Sequence, residues 1–356
     1  MLRLRKAAGH DGLVNEHIIY GGPNLTVHIS LLFTALLRHS YVPKSFQFGI
    51  IKPIPKNKHG DLTNIDMYRG ITLTPVISKL FESLLVSVYG DWLGSDHLQF
   101  GFKKGSSCSH ALFSFTESVR HFNKRGSKMY GAFLDASKAF DKVLINGLLT
   151  KLIKRNVPIL LIRILYVWFD NLHCSVVWNS MIGMPFAVKC GVRQGGVLSP
   201  FLFAIYMNDL IDMLRCSGYG LHIGMIFTGT ILYADDIALL ACSCLSLQKL
   251  IDICVRYGIE WDIRFNPLKT QIACFGGKPP NHDTIVINGQ LLSWYDRIKY
   301  LSCFFKSRNC EADPASFVAR FYGAFNNILN VMGNSKSRDE MVAVHLIKAS
   351  ITVIWL

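Results

Sequence analysis

Between residues 231 and 240 the apolar run Ile231-Leu-Tyr233 is interrupted by Ala234-Asp235-Asp236 and resumes as Ile237-Ala-Leu-Leu240. Two adjacent carboxylates between strongly hydrophobic segments are costly to desolvate unless something compensates, and a divalent cation would do so. The pattern predicts a β-hairpin whose tight turn carries both acids. An isolated Asp-Asp pair is an ordinary polar hairpin tip. Asp135 changes that reading: it lies 100 residues upstream of Asp235 and closes a second apolar run, Gly131-Ala-Phe-Leu134. Two strand ends carrying carboxylates, gathered on one sheet, would make a pocket for two Mg²⁺ ions about 3.5 to 4 Å apart, an arrangement used by polymerases and nucleases.

The rest of the composition says what such a site would serve. With 356 residues and 50% hydrophobic residues, the chain can bury a sizeable core, which excludes a disordered or low-complexity protein. The length suits two or three lobes of about 100 to 200 residues each. The formal net charge of +14 is uneven: residues 1–155 hold 21 Lys+Arg against 10 Asp+Glu, and the remainder holds 17 against 14. Clustered cations of this kind point to a polyanionic partner, either nucleic acid or an anionic membrane surface. No run of about 18 apolar residues exists to span a bilayer. Val157 to Phe169 is broken by Arg163, and Leu198 to Leu214 contains Asp209 and Asp212. Met1 leads straight into Arg3, Arg5 and Lys6, so no secretory signal opens the chain. The ten cysteines form no CxxC pair. They read as reduced, buried small hydrophobes of a nuclear or cytoplasmic protein that is not secreted.

Local signals place these motifs on elements. Residues 1 to about 66 carry the breakers Gly21-Gly22-Pro23, Pro43, Pro53, Pro55 and Gly60, which predict a loop-rich basic lobe. Ser106 or Ser107 caps a helix with Leu112, Phe115 and Val119 on one face. Met129 to Leu134 reads as a buried strand running into Asp135. Ser199 and Pro200 open a helix through Phe203, Tyr206, Met207 and Leu210. Ser246 caps a helix ending near Gly258. Ile285 to Leu292 predicts a hairpin with Asn288-Gly289 as a type I′ turn. After Asp313-Pro314 come two helical patterns, the second reaching Leu356.

An ordered series of motifs resembles the reverse transcriptases of non-LTR (LINE-type) retrotransposons. Phe133-Leu-Asp-Ala-Ser-Lys-Ala-Phe-Asp-Lys-Val143 is similar to the family's first catalytic motif, Gly191-Val-Arg-Gln-Gly-Gly-Val-Leu-Ser-Pro200 to its template- and nucleotide-positioning motif, and Tyr233-Ala-Asp-Asp236 to its catalytic hairpin. Asn266-Pro-Leu-Lys-Thr270 and Lys299-Tyr-Leu301 follow in order. Upstream lie Lys6-Ala-Ala-Gly-His-Asp-Gly12, Ile54-Pro-Lys56, Tyr68-Arg-Gly-Ile-Thr-Leu73 and Gln99-Phe-Gly-Phe-Lys-Lys-Gly105. A Tyr-Ala-Asp-Asp alone is a weak signal, whereas this order and spacing over residues 6 to 350 is specific.

The resemblance implies an α+β, right-hand polymerase with an antiparallel palm sheet: fingers at 1–125 and 148–190, palm at 126–147 and 191–305, and a partial thumb at 306–356. It implies RNA-directed DNA polymerase activity on an RNA template, a DNA primer and dNTPs. Asp135, Asp235 and Asp236 would hold two Mg²⁺ ions. Lys56 and Arg69 would grip the triphosphate. Phe140 would exclude a ribose 2′-hydroxyl, Gln194 and Tyr233 would line the nucleotide site, and Tyr300 and Leu301 would hold the primer terminus. Lys269 would protonate the leaving pyrophosphate, help typically worth about 10²- to 10⁴-fold. The family's glycines before the capped helix would let the backbone approach the base pair.

Two positions depart from the family pattern. Ser302 replaces the glycine of Lys-Tyr-Leu-Gly, which is costly if φ is positive there. Gly70 replaces a proline after Arg69, which would loosen the loop aiming that arginine. No stretch reads as an endonuclease, a ribonuclease H or a Cys/His knuckle. The expectation is therefore a fragment of a longer retroelement polyprotein, or a host reading frame derived from one. A catalytically inactive, nucleic-acid-binding relic is the alternative reading. A group II intron maturase shares the hairpin, but Lys138-Ala-Phe-Asp141 and the lack of a basic tail favour the LINE-type reading.

Overall fold

A computed structural model describes residues 2–57, 60–280, 283–332, 341, 344 and 345. In chain order the helices are α1 (Asn15–Ile19), α2 (Gly22–His39), α3 (Lys44–Gln47), α4 (Val76–Tyr89), α5 (Cys108–Asn123), α6 (Ile145–Lys154), α7 (Ile159–Asp170), α8 (Ser199–Cys216), α9 (Cys244–Glu260) and α10 (Ala315–Met332). The strands are β1 (Phe48–Pro55), β2 (Tyr68–Leu73), β3 (Met129–Ser137), β4 (His173–Trp178), β5 (Met181–Ile182), β6 (Phe186–Ala187), β7 (His222–Ile223), β8 (Ile226–Phe227), β9 (Thr230–Tyr233), β10 (Asp236–Ala241), β11 (Arg264–Phe265), β12 (Gln271–Phe275), β13 (Val286–Ile287), β14 (Gln290–Leu291), β15 (Arg297–Tyr300) and β16 (Cys303–Lys306). The second helical pattern expected toward Leu356 lies outside the described residues. No helix among the described residues is long and apolar enough to cross a membrane.

The chain divides into two compact units, each assembled from separate segments. The first comprises Met1–Asp96, Ser137–Asp209 and Tyr257–Arg264; the second comprises His97–Ala136, Leu210–Arg256 and Phe265–Leu356.

In the first unit a sheet runs β2-β1-β4-β5, with β6 also on β4. β1 pairs antiparallel with β2 and parallel with β4. Its helices bury an aromatic cluster in which Phe81 stacks on Trp168 at 5.8 Å and Phe33 tilts against Phe81 at 5.1 Å. The region expected to be loop-rich contains the 18-residue α2. Gly22-Pro23 does not break a helix there but starts one, because proline at the first turn gives up only an N–H that no helix could use.

Three buried charged side chains brace this unit. The Lys151 side chain is 2% exposed, 2.6 Å from Asp209 Oδ2, and lies 3.8 Å from the Trp261 ring centroid. Burial holds its ammonium below the usual lysine range against the opposing pull of Asp209. Glu82 is buried and its Oε2 accepts from the N–H groups of Val197 (2.6 Å) and Leu198 (2.9 Å), which pins the segment leading into α8. Arg193 is buried too and donates to the carbonyls of Phe46 (2.8 Å) and Gln47. Burial raises the Glu82 pKa, outweighing the two N–H donors and the Arg193 charge.

In the second unit the sheet runs β11-β3-β10-β9, with β12 also on β3. The β3–β10, β10–β9 and β12–β3 pairs are all antiparallel. α5 lies against it: Phe115 meets Phe133 at 5.5 Å, Phe275 at 5.6 Å and Phe305 at 5.2 Å. The Ser107 side chain accepts from the His110 N–H at 3.4 Å, the cap expected from sequence. α9 starts earlier than expected, at Cys244. The reason is that Ser243, not Ser246, is the cap: its Oγ accepts from the Ser246 N–H at 3.1 Å. At the β13–β14 turn Asn288 (φ 49°) and Gly289 (φ 77°) both take the left-handed values of a type I′ turn.

All ten cysteines are free. Five are buried, but Cys190, Cys216 and Cys242 are exposed and depart from the buried role expected of them.

Glu82→Ala leaves two buried N–H donors without an acceptor and the buried Arg193 without a counter-charge. Its expected cost is about 2 to 4 kcal/mol in urea unfolding. A loss below about 0.5 kcal/mol would show that the α8 entry does not depend on this carboxylate.

Candidate active site

The carboxylates are brought together by strand register. β3 and β10 pair so that Asp236 lies opposite Asp135, Ile237 opposite Leu134 and Ala238 opposite Phe133. On its other edge β10 pairs with β9, where Asp236 faces Tyr233. The β9–β10 connection is therefore only Ala234 and Asp235. Ala234 holds φ at +57°, a conformation that a residue with a Cβ seldom adopts. Side chains alternate along each strand, and only this register gives the Asp135 and Asp236 carboxylates adjacent positions.

The field around the site is acidic and partly desolvated. Burial, then the charge of Asp235, then that of Asp135, pushes the Asp236 pKa up to about 6, and only Lys299 opposes them. The Asp135 carbonyl accepts from the Asn266 N–H at 3.0 Å, which ties the Asn266-Pro267 turn to the end of β3. The following residues fold back, so Lys269 Nζ lies 3.6 Å from Asp135 Oδ2 with both side chains well exposed.

Among the described residues no three His, Cys, Asp or Glu side chains are placed so that they could hold a metal ion together. The donor set nevertheless fits a hard divalent cation. Asp135, Asp235 and Asp236 offer only carboxylate oxygens, the ligand chemistry such a cation takes, and their mutual repulsion adds to the burial that raises Asp236.

The other expected residues of this unit sit close to the hairpin. Tyr233 is half-buried, and its hydrogen bond with the Cys108 thiol and then burial push its hydroxyl up to about 12. Tyr300 is buried beneath the β15–β16 hairpin rather than displayed on it. Its ring lies 5.2 Å from Phe133, and its hydroxyl donates to the Ile231 carbonyl at 3.4 Å. Leu301 and Ser302 form the two-residue turn, with φ of 45° and 65°. The positive φ at Ser302 is the strain that the missing glycine implies.

Four expected residues belong to the first unit. Lys56 is exposed, and its Nζ donates to the Asp66 carbonyl at 2.8 Å. Arg69 is exposed on β2, opposite Ile54. The loop expected around it is a strand, so the ladder fixes the Arg69 backbone and no proline is needed at Gly70. Phe140 is half-buried, with its ring stacked on that of Phe203 at 4.3 Å and 18°. Gln194 Nε2 donates to Asp141 Oδ1 at 2.8 Å, and the Gln194 carbonyl accepts from the Thr72 N–H at 2.7 Å. The nearby glycines serve the chain's own packing: a Cβ on Gly195 would lie 2.8 Å from the Thr72 oxygen, and one on Gly191 2.7 Å from the Asp141 oxygen.

Sequence reasoning missed Arg193 and Glu82 as the brace of the Gln194 segment, because their partners are remote in sequence. It also gave Gln99 no role, although that residue reaches the Ala234 turn.

The family model described as reverse transcriptase (RNA-dependent DNA polymerase) matches residues 54–305, and the chain belongs to that family. Among curated proteins it is similar to a probable RNA-directed DNA polymerase from transposon BS of Drosophila melanogaster, 28% identical over 84% of this chain and 34% of that protein. It is also similar to the RNA-directed DNA polymerase from the mobile element jockey of Drosophila funebris, 29% identical over 84% of this chain and 33% of that protein. The chain spans about a third of the length of these relatives. Among solved structures, apo telomerase from Candida tropicalis aligns with a TM-score of 0.54 at 12% identity, covering 93% of this chain and 64% of that one. At that identity the likeness is one of fold, and the fold is α+β of the right-hand polymerase kind.

Ser302→Gly is expected to stabilise the chain. Relief of the left-handed strain, about 1 to 2 kcal/mol, exceeds the added entropy of the unfolded glycine, about 0.4 to 1 kcal/mol. A lower rather than higher melting temperature would show that this turn is not strained.

Proposed function

We propose that the chain is an RNA-directed DNA polymerase of a retroelement, adding deoxynucleotides to a primer 3′-hydroxyl on an RNA template. The observation that carries this reading is the register that sets Asp236 opposite Asp135 beside the Asp235 turn, in a chain of the reverse transcriptase family. The second unit's sheet corresponds to the palm in this reading, and β1 and β2 correspond to the fingers.

Asp135, Asp235 and Asp236 are the residues that would hold two Mg²⁺ ions. When bound, these supply acidification of the 3′-hydroxyl and neutralisation of charge on the triphosphate. The primer 3′-oxygen attacks the α-phosphorus, the bond to the bridging oxygen breaks, and pyrophosphate leaves. Lys269 Nζ, 3.6 Å from Asp135 Oδ2, gives its proton to a pyrophosphate oxygen. Lys56 and Arg69 bind phosphate oxygens, the first as a point charge and the second as a fork. Phe140, propped by Phe203, presents a bulky face to the sugar and discriminates against a 2′-hydroxyl. Gln194, fixed by Asp141, positions the nucleotide, and Tyr233 supports the hairpin beside it. Leu301 at the β15–β16 turn holds the primer end, with Tyr300 anchoring that hairpin from beneath. Heteroduplex is held largely through its backbone, so affinity falls steeply with salt.

Primer extension on an RNA template with Mg²⁺ and dNTPs tests the reading. Wild-type protein is expected to extend the primer and Asp235→Asn to lose extension while still binding heteroduplex. Binding without extension by the wild type would favour the relic that only binds nucleic acid. Phe140→Ala is expected to admit rNTPs more readily, and unchanged sugar discrimination would remove Phe140 from this role.

A further inference from the structure

The turn that carries Asp235 is short and conformationally costly, and one buried side chain from a distant segment closes around it. Residues 98–101 run alongside β9: the Leu232 N–H donates to the Leu98 carbonyl at 2.9 Å and the Phe100 N–H donates to the Leu232 carbonyl at 2.8 Å. Gln99 bridges to Leu232 in parallel register and is 1% exposed. Its Oε1 accepts from the Ala234 N–H at 2.9 Å and the Gly101 N–H at 2.9 Å, while its Nε2 donates to the Ala234 carbonyl at 3.4 Å. The two backbone donors fix which end of the amide is oxygen. Both backbone polar groups of Ala234 are thus held by a single side chain, at the residue whose φ is +57°. Gly101 completes the fit, because a Cβ there would lie 2.4 Å from the Ala234 nitrogen.

We propose that Gln99 is a positioning residue of the catalytic hairpin: it holds Ala234 in the left-handed conformation and so fixes the direction of the Asp235 and Asp236 carboxylates. The chemistry selects this residue type. Leucine fills the same space with no polar atom, glutamate keeps the acceptor but loses the donor to the Ala234 carbonyl, and asparagine is one methylene short. A small loss of aim at the reacting centre is costly in rate even when binding is intact. The inference rests on the polymerase reading for its catalytic consequence, but not for its structural one.

Three variants in the whole chain test it: Gln99→Leu, Gln99→Glu, and Gln99→Leu combined with Ala234→Gly. Gln99→Leu is expected to lower kcat about 10- to 100-fold with little change in KM for template–primer. It should also speed amide hydrogen exchange at residues 233–236 while β3 stays protected. Gln99→Glu, which keeps both accepted N–H groups and covers the case in which the leucine variant does not fold, is expected to lie between wild type and leucine in kcat. The double variant is the decisive arm. Glycine takes a positive φ without strain, so Ala234→Gly should restore much of the kcat lost in Gln99→Leu. A packing role alone would not be rescued in this way. Wild-type kcat and exchange in Gln99→Leu, or a double variant no better than the single one, would overturn the proposal. If wild-type protein extends no primer, the polymerase reading fails, and the exchange comparison still judges the clamp: faster exchange confined to the turn supports it and unchanged exchange rejects it.

Discussion

The pairing of β3 with β10 is the constraint on which the rest of this structure depends. Neither strand alone makes a site: Asp135 ends one apolar run and Asp236 begins another. Their value comes from a backbone ladder that sets them opposite each other. A slip of one residue would turn every β10 side chain to the other face, sending Asp236 into the core and an apolar neighbour to the acidic cluster. Ile237, Ala238, Leu239 and Leu240 are all buried, so both faces of β10 are packed and apolar residues suit either; what opposes the slip is the cost of burying the carboxylate. Burial first, and the charges of Asp235 and Asp135 after it, lift Asp236 to about 6, and the packing of the two strands holds the carboxylates together against that penalty.

How much of this could be read from residues alone depended on the range of the interaction. Apolar runs closed by Asp135 and by Asp235-Asp236 locate the strands and their polar ends, and the Ser107 cap and the Asn288-Gly289 turn are equally local signals. That the two carboxylate-bearing ends share a sheet was expected, and the β3–β10 pairing bears it out; the exact register was not legible, because an unbroken apolar run marks a strand without setting its offset. Ala234 was opaque for another reason. A left-handed residue normally announces itself as glycine or asparagine, and alanine does not. The role of Arg193 was hidden because the carbonyls it serves belong to Phe46 and Gln47, nearly 150 positions earlier. Gly22-Pro23 misled because punctuation that ends one element also begins another.

The two units carry different kinds of residue. Arg69 sits exposed on the edge strand β2, and Lys56, exposed just past the end of β1, donates to the Asp66 carbonyl. Asp135, Asp235 and Asp236 sit on a sheet locked by aromatic packing of Phe115 against Phe133 and Phe275.

The contact between Gln99 and Ala234 joins residues 135 positions apart in the chain. A two-residue hairpin such as β9–β10 can form from neighbouring residues in microseconds, whereas closing so long a loop must wait for much of the intervening chain to be ordered. The pairing that sets Asp236 opposite Asp135 is long-range as well, so a newly made chain completes its acidic centre only through associations that reach across about 100 residues or more.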